Sequence, residues 1–341
     1  MPRISHKRAP TMNDVAERAG VSQTTVSFVL NDVPNANIPQ ETRDRIAAAV
    51  EELGYRRNVL ARNLRSGRSG HIGFITDLIA TTPYAGRIIE GAQDVAWDHD
   101  YMLLLVDTQG REDIKRRAIE LMLESQVEGI IYATMWHRPV NVLDAMREAP
   151  VVLLNCYDEQ RSLPSVVPDE VQGGRTATEL LLHKGHRRIA FVNAHDQVPA
   201  AVGRLEGYKQ SLAAHSILFD PQFVLAANSS ASGGYDAVIE LMGLPNPPTA
   251  LFCYNDRMAM GAYDALRKLG RRIPEDVAVV GFDNQEIIAA NLHPGLTTLQ
   301  LPHYEMGAWA VDHLLHLLTG DEAPPAVQHK IKCPLVERDS T

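Results

Sequence analysis

Cysteine is scarce in this chain, with three among 341 residues. Cys156, Cys253 and Cys333 stand far apart, in or beside apolar runs, a spacing that suits buried thiols and offers neither a disulfide framework nor a zinc site. Long apolar runs are also missing, and nothing approaches the roughly 18 residues that cross a bilayer. Residues 1–10 are basic but lead into the polar, helix-like stretch 11–20, so no apolar signal core follows. The expectation is a cytoplasmic protein with no membrane partner. The common catalytic signatures are absent as well: there is no Gly-x-Ser-x-Gly elbow, no Gly-x-Gly-x-x-Gly fingerprint, no phosphate loop ending in Lys-Ser/Thr and no His-Glu-x-x-His pair. No catalytic residue, metal site or cofactor is called for, which weighs against a metabolic enzyme.

What is present begins with size and charge. A chain of 341 residues that is 45% hydrophobic has material for two or three domain cores. The net charge of −9 hides an asymmetry: residues 1–70 hold 11 Lys and Arg against 7 Asp and Glu, net +4, and the remainder holds 22 against 35, net −13. A basic head precedes an acidic body, which points to a polyanionic partner at the head. There, Thr11 caps a first helix with Asp14 as reciprocal partner, and Val15, Ala16 and Ala19 make its apolar face before Gly20 stops it. Ser22 caps a second helix two residues later, so 11–20 and 22–31 form two helices joined by a tight turn. At about 100° per residue, Val26, Val29 and Leu30 share one face, which leaves Thr24 and Phe28 on the opposite, exposed one. A third helix begins near Pro39, carries Ile46, Val50 and Leu53, and ends at Gly54. In such a unit the second helix reads DNA, and a generic helical bundle has no need of an outward Phe28 among short polar residues.

The stretch 11–31, TMNDVAERAGVSQTTVSFVLN, resembles the headpiece of the lactose/galactose repressor family of bacterial transcriptional regulators. The resemblance implies that Gln23, Thr24 and Phe28 meet base edges in the major groove, within a DNA-contact set of Thr11, Ser22, Gln23, Thr24, Thr25, Ser27, Phe28 and Asn31. Many members carry an arginine where this chain has Phe28. An arginine takes a guanine through two hydrogen bonds, whereas Phe28 offers apolar contact to a thymine methyl, so a differently read half-site is expected.

Residues 58–66, Asn58-Val-Leu-Ala-Arg-Asn-Leu-Arg-Ser66, precede the breaker run Gly67-Arg-Ser-Gly70 and allow about two helical turns. An isolated helix shorter than about 12–15 residues is marginal in water, so this one is expected to order only against DNA and a partner chain. The resemblance assigns a minor-groove wedge to Leu64 and groove contacts to Ala61 and Arg62.

From His71 onward, strand-length apolar runs at 72–76, 102–107, 129–133 and 151–155, and again at 188–193, 223–226, 249–254 and 277–282, alternate with amphipathic helices near 171–184, 204–215, 234–242 and 256–269. This is the pattern of parallel sheets with crossover helices, in two lobes. Asp77, Asn155, Asn255 with Asp256, and Asp283 with Asn284 each end an apolar strand, and Arg204 opens a helix, so polar groups converge where open α/β sheets bind ligands. The family resemblance continues in Ile72-Gly-Phe-Ile, Val166-Val-Pro-Asp169, Arg204-Leu-Glu-Gly-Tyr208, Tyr254-Asn-Asp256 and Val280-Gly-Phe-Asp283. It implies an effector cleft, commonly for a sugar, lined by Asp77, Pro168, Arg204, Asn255 and Asp283, with Asn155 where members often have Asp. Tyr84 and Trp136 are the candidates for an aromatic wall in place of the residue replaced by Pro168.

The resemblance implies an all-α helix-turn-helix headpiece (1–57), a hinge (58–70) and a two-lobed α/β effector domain like type I periplasmic binding proteins, with parallel sheets. The first lobe is expected to take 71–167 and 296–325, the second 168–295 and 326–341. The partners implied are double-stranded operator DNA of near-palindromic sequence, a small polar effector and a second copy of the chain. Without a leucine heptad after the last strand, a homodimer is the economical assembly. An exported sugar receptor would share the body but open on a signal peptide in place of the basic head.

Overall fold

Thr11 opens the first helix by the expected reciprocal cap: its hydroxyl accepts the Asp14 N–H at 3.3 Å, and its own N–H donates to the Asp14 carboxylate at 2.6 Å. The structure, a computed structural model, describes residues 10–31, 33, 36–55, 68–82, 85–320 and 328–341. Helix α1 (Met12–Ala19) ends at Gly20, whose φ of +66° is a left-handed value that glycine adopts without steric cost. Ser22 caps α2 (Gln23–Leu30) by accepting the Thr25 N–H at 3.1 Å, and α3 (Gln40–Leu53) stops at Gly54. Val15, Ala16, Ala19, Val26, Ile46, Ala49 and Tyr55 form the core of this small unit. The expected stripe on α3 is shared differently: Ile46 and Ala49 are buried, while Val50 and Leu53 pack at the core's margin.

The chain divides into two compact units, Met1–Ser69 and Gly70–Thr341. The second unit carries two six-stranded sheets. In the first, β1 (His71–Thr76) lies between β2 (Met102–Asp107) and β3 (Gly129–Pro139), and β4 (Val151–Tyr157), β5 (Ser165–Pro168) and β11 (Gln328–Ile331) continue from β3 to the edge. In the second, β6 (Ile189–Ala194) lies between β7 (Val224–Ala227) and β8 (Ala250–Cys253), followed by β9 (Ala278–Asp283), β10 (Thr297–Gln300) and β12 (Leu335–Val336). Pairing is parallel in both sheets apart from the antiparallel β10–β12 contact. Helices α4 (Gly86–Asp98), α5 (Glu112–Glu124), α6 (Glu170–His183), α7 (Pro199–Ala214), α8 (Ala231–Met242), α9 (Asp256–Lys268), α10 (Glu286–Ala289) and α11 (His303–Thr319) supply the connections.

Central strands are buried on both faces, as parallel sheets under crossover helices require. One face of the second sheet packs Phe191 on Phe252 at 4.5 Å between ring centroids, with Tyr208 and Phe282 beside them. The first sheet packs Ile72, Phe74 and Ile131 under α4 and α11. Burying each such side chain contributes roughly 1.5–3 kcal/mol.

Two lobe boundaries differ from expectation. Strand β10 lies in the second sheet, parallel to β9, so the chain regains the first lobe at Leu301–Pro302, after the strand rather than before it. Strand β11 lies in the first sheet, parallel to β5, and the tail rejoins the second lobe only at β12. Four-residue strands carry little periodicity, and their sheet is chosen by backbone partners distant in sequence. Helix α7 also starts earlier than expected, with Pro199 in its first turn, where proline's missing N–H costs nothing. Arg204 therefore stands in the second turn, against α6. The two helices approach so closely that a methyl at Gly174 would run into the Arg204 carbonyl, and one at Gly207 into the Val171 carbonyl. That contact fixes the depth of Arg204 in the body.

Candidate functional site

On the head, α2 presents Gln23, Thr24 and Phe28 to solvent, with Phe28 41% exposed. The ring stands open to solvent on this eight-residue helix beside the polar Gln23 and Thr24. The other five expected DNA-contact residues also serve the helix ends. Thr11 belongs to the α1 cap, Ser22 and Thr25 share a 2.8 Å hydroxyl contact, and Asn31 Nδ2 donates to the Ser27 carbonyl at 2.8 Å and to its hydroxyl at 3.2 Å. Ala61, Arg62 and Leu64 lie outside the described residues, as does the rest of the expected hinge helix.

In the body, a cleft of about 540 Å³ opens where the carboxyl ends of the two sheets meet. The first lobe contributes Met135–Arg138 from the end of β3, Asn155 from β4 and Pro168 from β5; the second contributes His195 and Asp196 after β6, Asn228–Ser230 after β7, Tyr254 and Asn255 after β8, and Asp283 from β9. Arg204 forms its buried centre. Its side chain is 3% exposed, Nε donates to Glu170 Oε2 at 2.8 Å, and Nη1 donates to the Tyr254 carbonyl. The guanidinium lies 3.5 Å from the Phe282 ring centroid and 4.6 Å from that of Tyr254. Asp283 Oδ1 stands 3.8 Å from Nη1. Burial works against the arginine charge, but Glu170, Tyr254 and Asp283 outweigh it and hold the pKa above its ordinary value.

Asp283 answers to the opposite balance. Burial pushes its carboxyl up to about 6, while Arg204 and the Gln285 amide pull it down. Asp256, wholly buried, accepts from Thr298 Oγ1 and the Gln285 N–H, both at 2.6 Å. Burial, and then the charge of Asp283, raise its carboxyl well above the ordinary range. In the first lobe, burial brings the His137 imidazole down to about 4. The ring is therefore neutral near pH 7, edge-on to Tyr157, and among the described residues its two nitrogens have no hydrogen-bond partner.

Of the eight expected effector residues, Trp136, Asn155, Pro168, Arg204, Asn255 and Asp283 come together at the cleft. Asp77 does not line it. Its carboxylate accepts the Leu78 and Met135 N–H groups at 2.7 and 2.8 Å and pairs with Arg138 at 2.9 Å. A carboxylate this occupied braces the end of β3, so Asp77 positions Trp136–Arg138 from behind. Asn155 shares that work: at φ +56° its Nδ2 donates to the Thr134 and Met135 carbonyls, both at 3.0 Å, two bonds an aspartate could not donate. Asn255 caps α9, accepting the Met258 N–H at 2.8 Å. Trp136, 50% exposed, lines the cleft, and Tyr84 lies outside the described residues. The sequence reading missed Glu170, His137 and Arg138. Glu170 sits in the first turn of α6, where an acid reads as helix-dipole chemistry; His137 and Arg138 belong to a strand extension beyond the apolar run that ended at 133.

A two-unit chain of this kind, a helix-turn-helix head followed by a two-lobed ligand cleft, defines a ligand-responsive DNA-binding regulator. A sequence profile described as "Bacterial regulatory proteins, lacI family" matches residues 11–58, and one described as "Periplasmic binding proteins and sugar binding domain of LacI family" matches residues 69–339. The HTH-type transcriptional regulator RegA of Clostridium saccharobutylicum is 34% identical over 339 residues, covering 98% of this chain and 99% of that protein. The HTH-type transcriptional repressor CytR of Escherichia coli (strain K12) is 31% identical over 334 residues, covering 98% and 96%. The solved structure of the lac repressor dimer bound to operator and the anti-inducer ONPF superposes with a TM-score of 0.78 at 27% identity, covering 98% of this chain and 99% of that one. The chain belongs to the LacI family of bacterial regulatory proteins: it is a DNA-binding transcriptional regulator with an effector domain of the periplasmic-binding-protein type.

Proposed function

We propose that this protein acts as a repressor, as a homodimer on a near-palindromic operator, and that a small polar effector, a sugar, bound between the lobes sets its grip on DNA. The observation that carries the reading is the cleft of about 540 Å³, within the usual range of small-molecule sites, with a buried arginine held between two carboxylates at its centre. Guanidinium donors alternating with carboxylate acceptors suit hydroxyl groups, which both give and receive hydrogen bonds. On the head, Gln23, Thr24 and Phe28 are the base readers and Ala61, Arg62 and Leu64 the minor-groove contacts. The protein binds its ligand and releases it unchanged; its place of action is the nucleoid.

The coupling is mechanical. A ligand that closes the lobes alters the separation of the two 58–66 segments in a dimer, and with it the cost of folding them on DNA. A differential affinity of about 1–3 kcal/mol changes operator affinity about 5–150-fold, and operator must change effector affinity by the same factor. A thermal-shift screen of sugars and nucleosides identifies the effector, because a ligand of the native state raises the melting temperature by mass action. Calorimetry of that ligand with and without operator then tests the coupling: two different dissociation constants are expected, and identical ones refute it.

A further inference from the structure

Resting on that reading of the cleft, we propose that Glu170 makes this regulator selective against anionic effectors, so that its ligand is an uncharged polyhydroxyl compound rather than a phosphorylated sugar or a sugar acid. An arginine that receives a phosphate or carboxylate offers two parallel N–H groups. Arg204 has lost one such fork and has a carboxylate beside the other: Nε is held by Glu170 Oε2 at 2.8 Å, which closes the Nε–Nη2 edge, while Nη1 donates to the Tyr254 carbonyl and has Asp283 Oδ1 at 3.8 Å, and the ring of Phe282 lies against the guanidinium. Among the described residues Nη2 alone of its nitrogens has no hydrogen-bond partner, and neither does Glu170 Oε1.

The charges nearby give an anion no welcome. Asp283 Oδ1 is 3.8 Å from Nη1, and its other oxygen accepts from Gln285 at 2.9 Å. Since the guanidinium nitrogens share one carbon, an anion at Nη2 lies within a few ångström of both carboxylates. Arg138, the next cation along the wall, is already paired with Asp77 at 2.9 Å. Across the whole lining the three cations Arg138, Arg204 and Arg257 equal in number the three carboxylates Glu170, Asp196 and Asp283, so the cleft carries no net positive charge to draw an anion. A hydroxyl escapes the conflict, because it accepts from Nη2 and donates to a carboxylate. Glu170 decides the matter: it spends half of the arginine fork and puts a second carboxylate beside the first.

Calorimetry on the full chain at pH 7.5 with matched pairs, ribose and ribose 5-phosphate, glucose and glucuronate, cellobiose and cellobionate, tests this. In the pair that binds, the uncharged member should bind at least tenfold more tightly. Glu170→Gln, which keeps an acceptor for Arg204 Nε, should narrow that gap at least threefold by strengthening the anion, and Glu170→Asp should keep it. An acidic member that binds the unsubstituted chain as tightly as its neutral twin overturns the proposal, as does a gap that Glu170→Gln leaves unchanged. If Glu170→Gln does not fold, the pairs on the unsubstituted chain decide alone. Preference for the anion removes only this selectivity; failure of every sugar, neutral or acidic, removes the sugar reading beneath it as well.

Discussion

Replacing Arg204 by methionine probes the centre of the cleft most directly. The side chain is 3% exposed and faces Glu170, 5% exposed, at 2.8 Å and Asp283, 9% exposed, at 3.8 Å. Methionine fills most of the volume but leaves two buried carboxylates without a counter-charge, and breaking a buried pair from one side costs about 3–5 kcal/mol. For a domain of this size each kcal/mol lowers the melting temperature by about 2–4 °C, so Arg204→Met should lose roughly 6–20 °C at pH 8. The three tryptophans, Trp97, Trp136 and Trp309, all lie in the Gly70–Thr341 unit, so tryptophan fluorescence of the full chain reads this transition without interference from the head. Asp283, whose carboxyl burial raises and Arg204 pulls down, would lose that pull and have a folded-state pKa further above its unfolded one. The loss is then complete above that value and shrinks as pH falls through it, so the deficit at pH 5 should be smaller than at pH 8. Adding Glu170→Gln to Arg204→Met removes one of the stranded charges and should recover at least about 1 kcal/mol. A loss under 2 °C at pH 8, or a double variant no more stable than the single, would refute the view that these charges depend on one another.

Asp283 makes a separate claim about pH. Its carboxyl is raised to about 6 from 3.8, so the folded chain holds that proton more tightly and stability falls as pH rises from about 4 to about 6; Asp283→Asn should flatten that slope in melting temperature, with Arg204, Glu170, Arg257 and Asp256 still in place, and an unchanged slope counts against it. Thr11→Ala removes the α1 cap and should cost the head about 1 kcal/mol, seen as faster amide exchange across 12–19; exchange that does not change would mean the cap is idle. Phe28→Ala should leave the head's stability within about 0.5 kcal/mol, since the ring is 41% exposed, yet weaken operator binding more than binding to random DNA, and selection from random sequences should return no obligatory guanine opposite Phe28.

The head was legible residue by residue because its devices are local. Thr11 with Asp14, Gly20 and Ser22 act within four residues of where they stand, and a helix period is enough to turn Phe28 outward. The body's alternation of strands and helices was legible too, because a parallel strand buried on both faces must be apolar and a crossover helix must be amphipathic. Asn155, Asn255 and Asp283 at strand ends and Arg204 at a helix start followed from the same logic and line the cleft, whereas Pro168 and Trp136, which also line it, entered with the family resemblance.

What the sequence determined by itself, then, was what neighbours along the chain set: the type of most elements, the caps and turns of the head, and the charge asymmetry. Only the tertiary structure decided which sheet received Thr297–Gln300 and Gln328–Ile331, that Asp77 would spend its carboxylate on Met135 and Arg138, and that Glu170 would reach Arg204. Those outcomes depend on backbone partners and buried charges brought together from positions 17 to 163 residues apart along the chain, as Thr297 is from Val280 and Ser165 from Gln328. Local periodicity carries no record of such distances; packing does, because a buried charge must find its counter-charge wherever the fold has placed it.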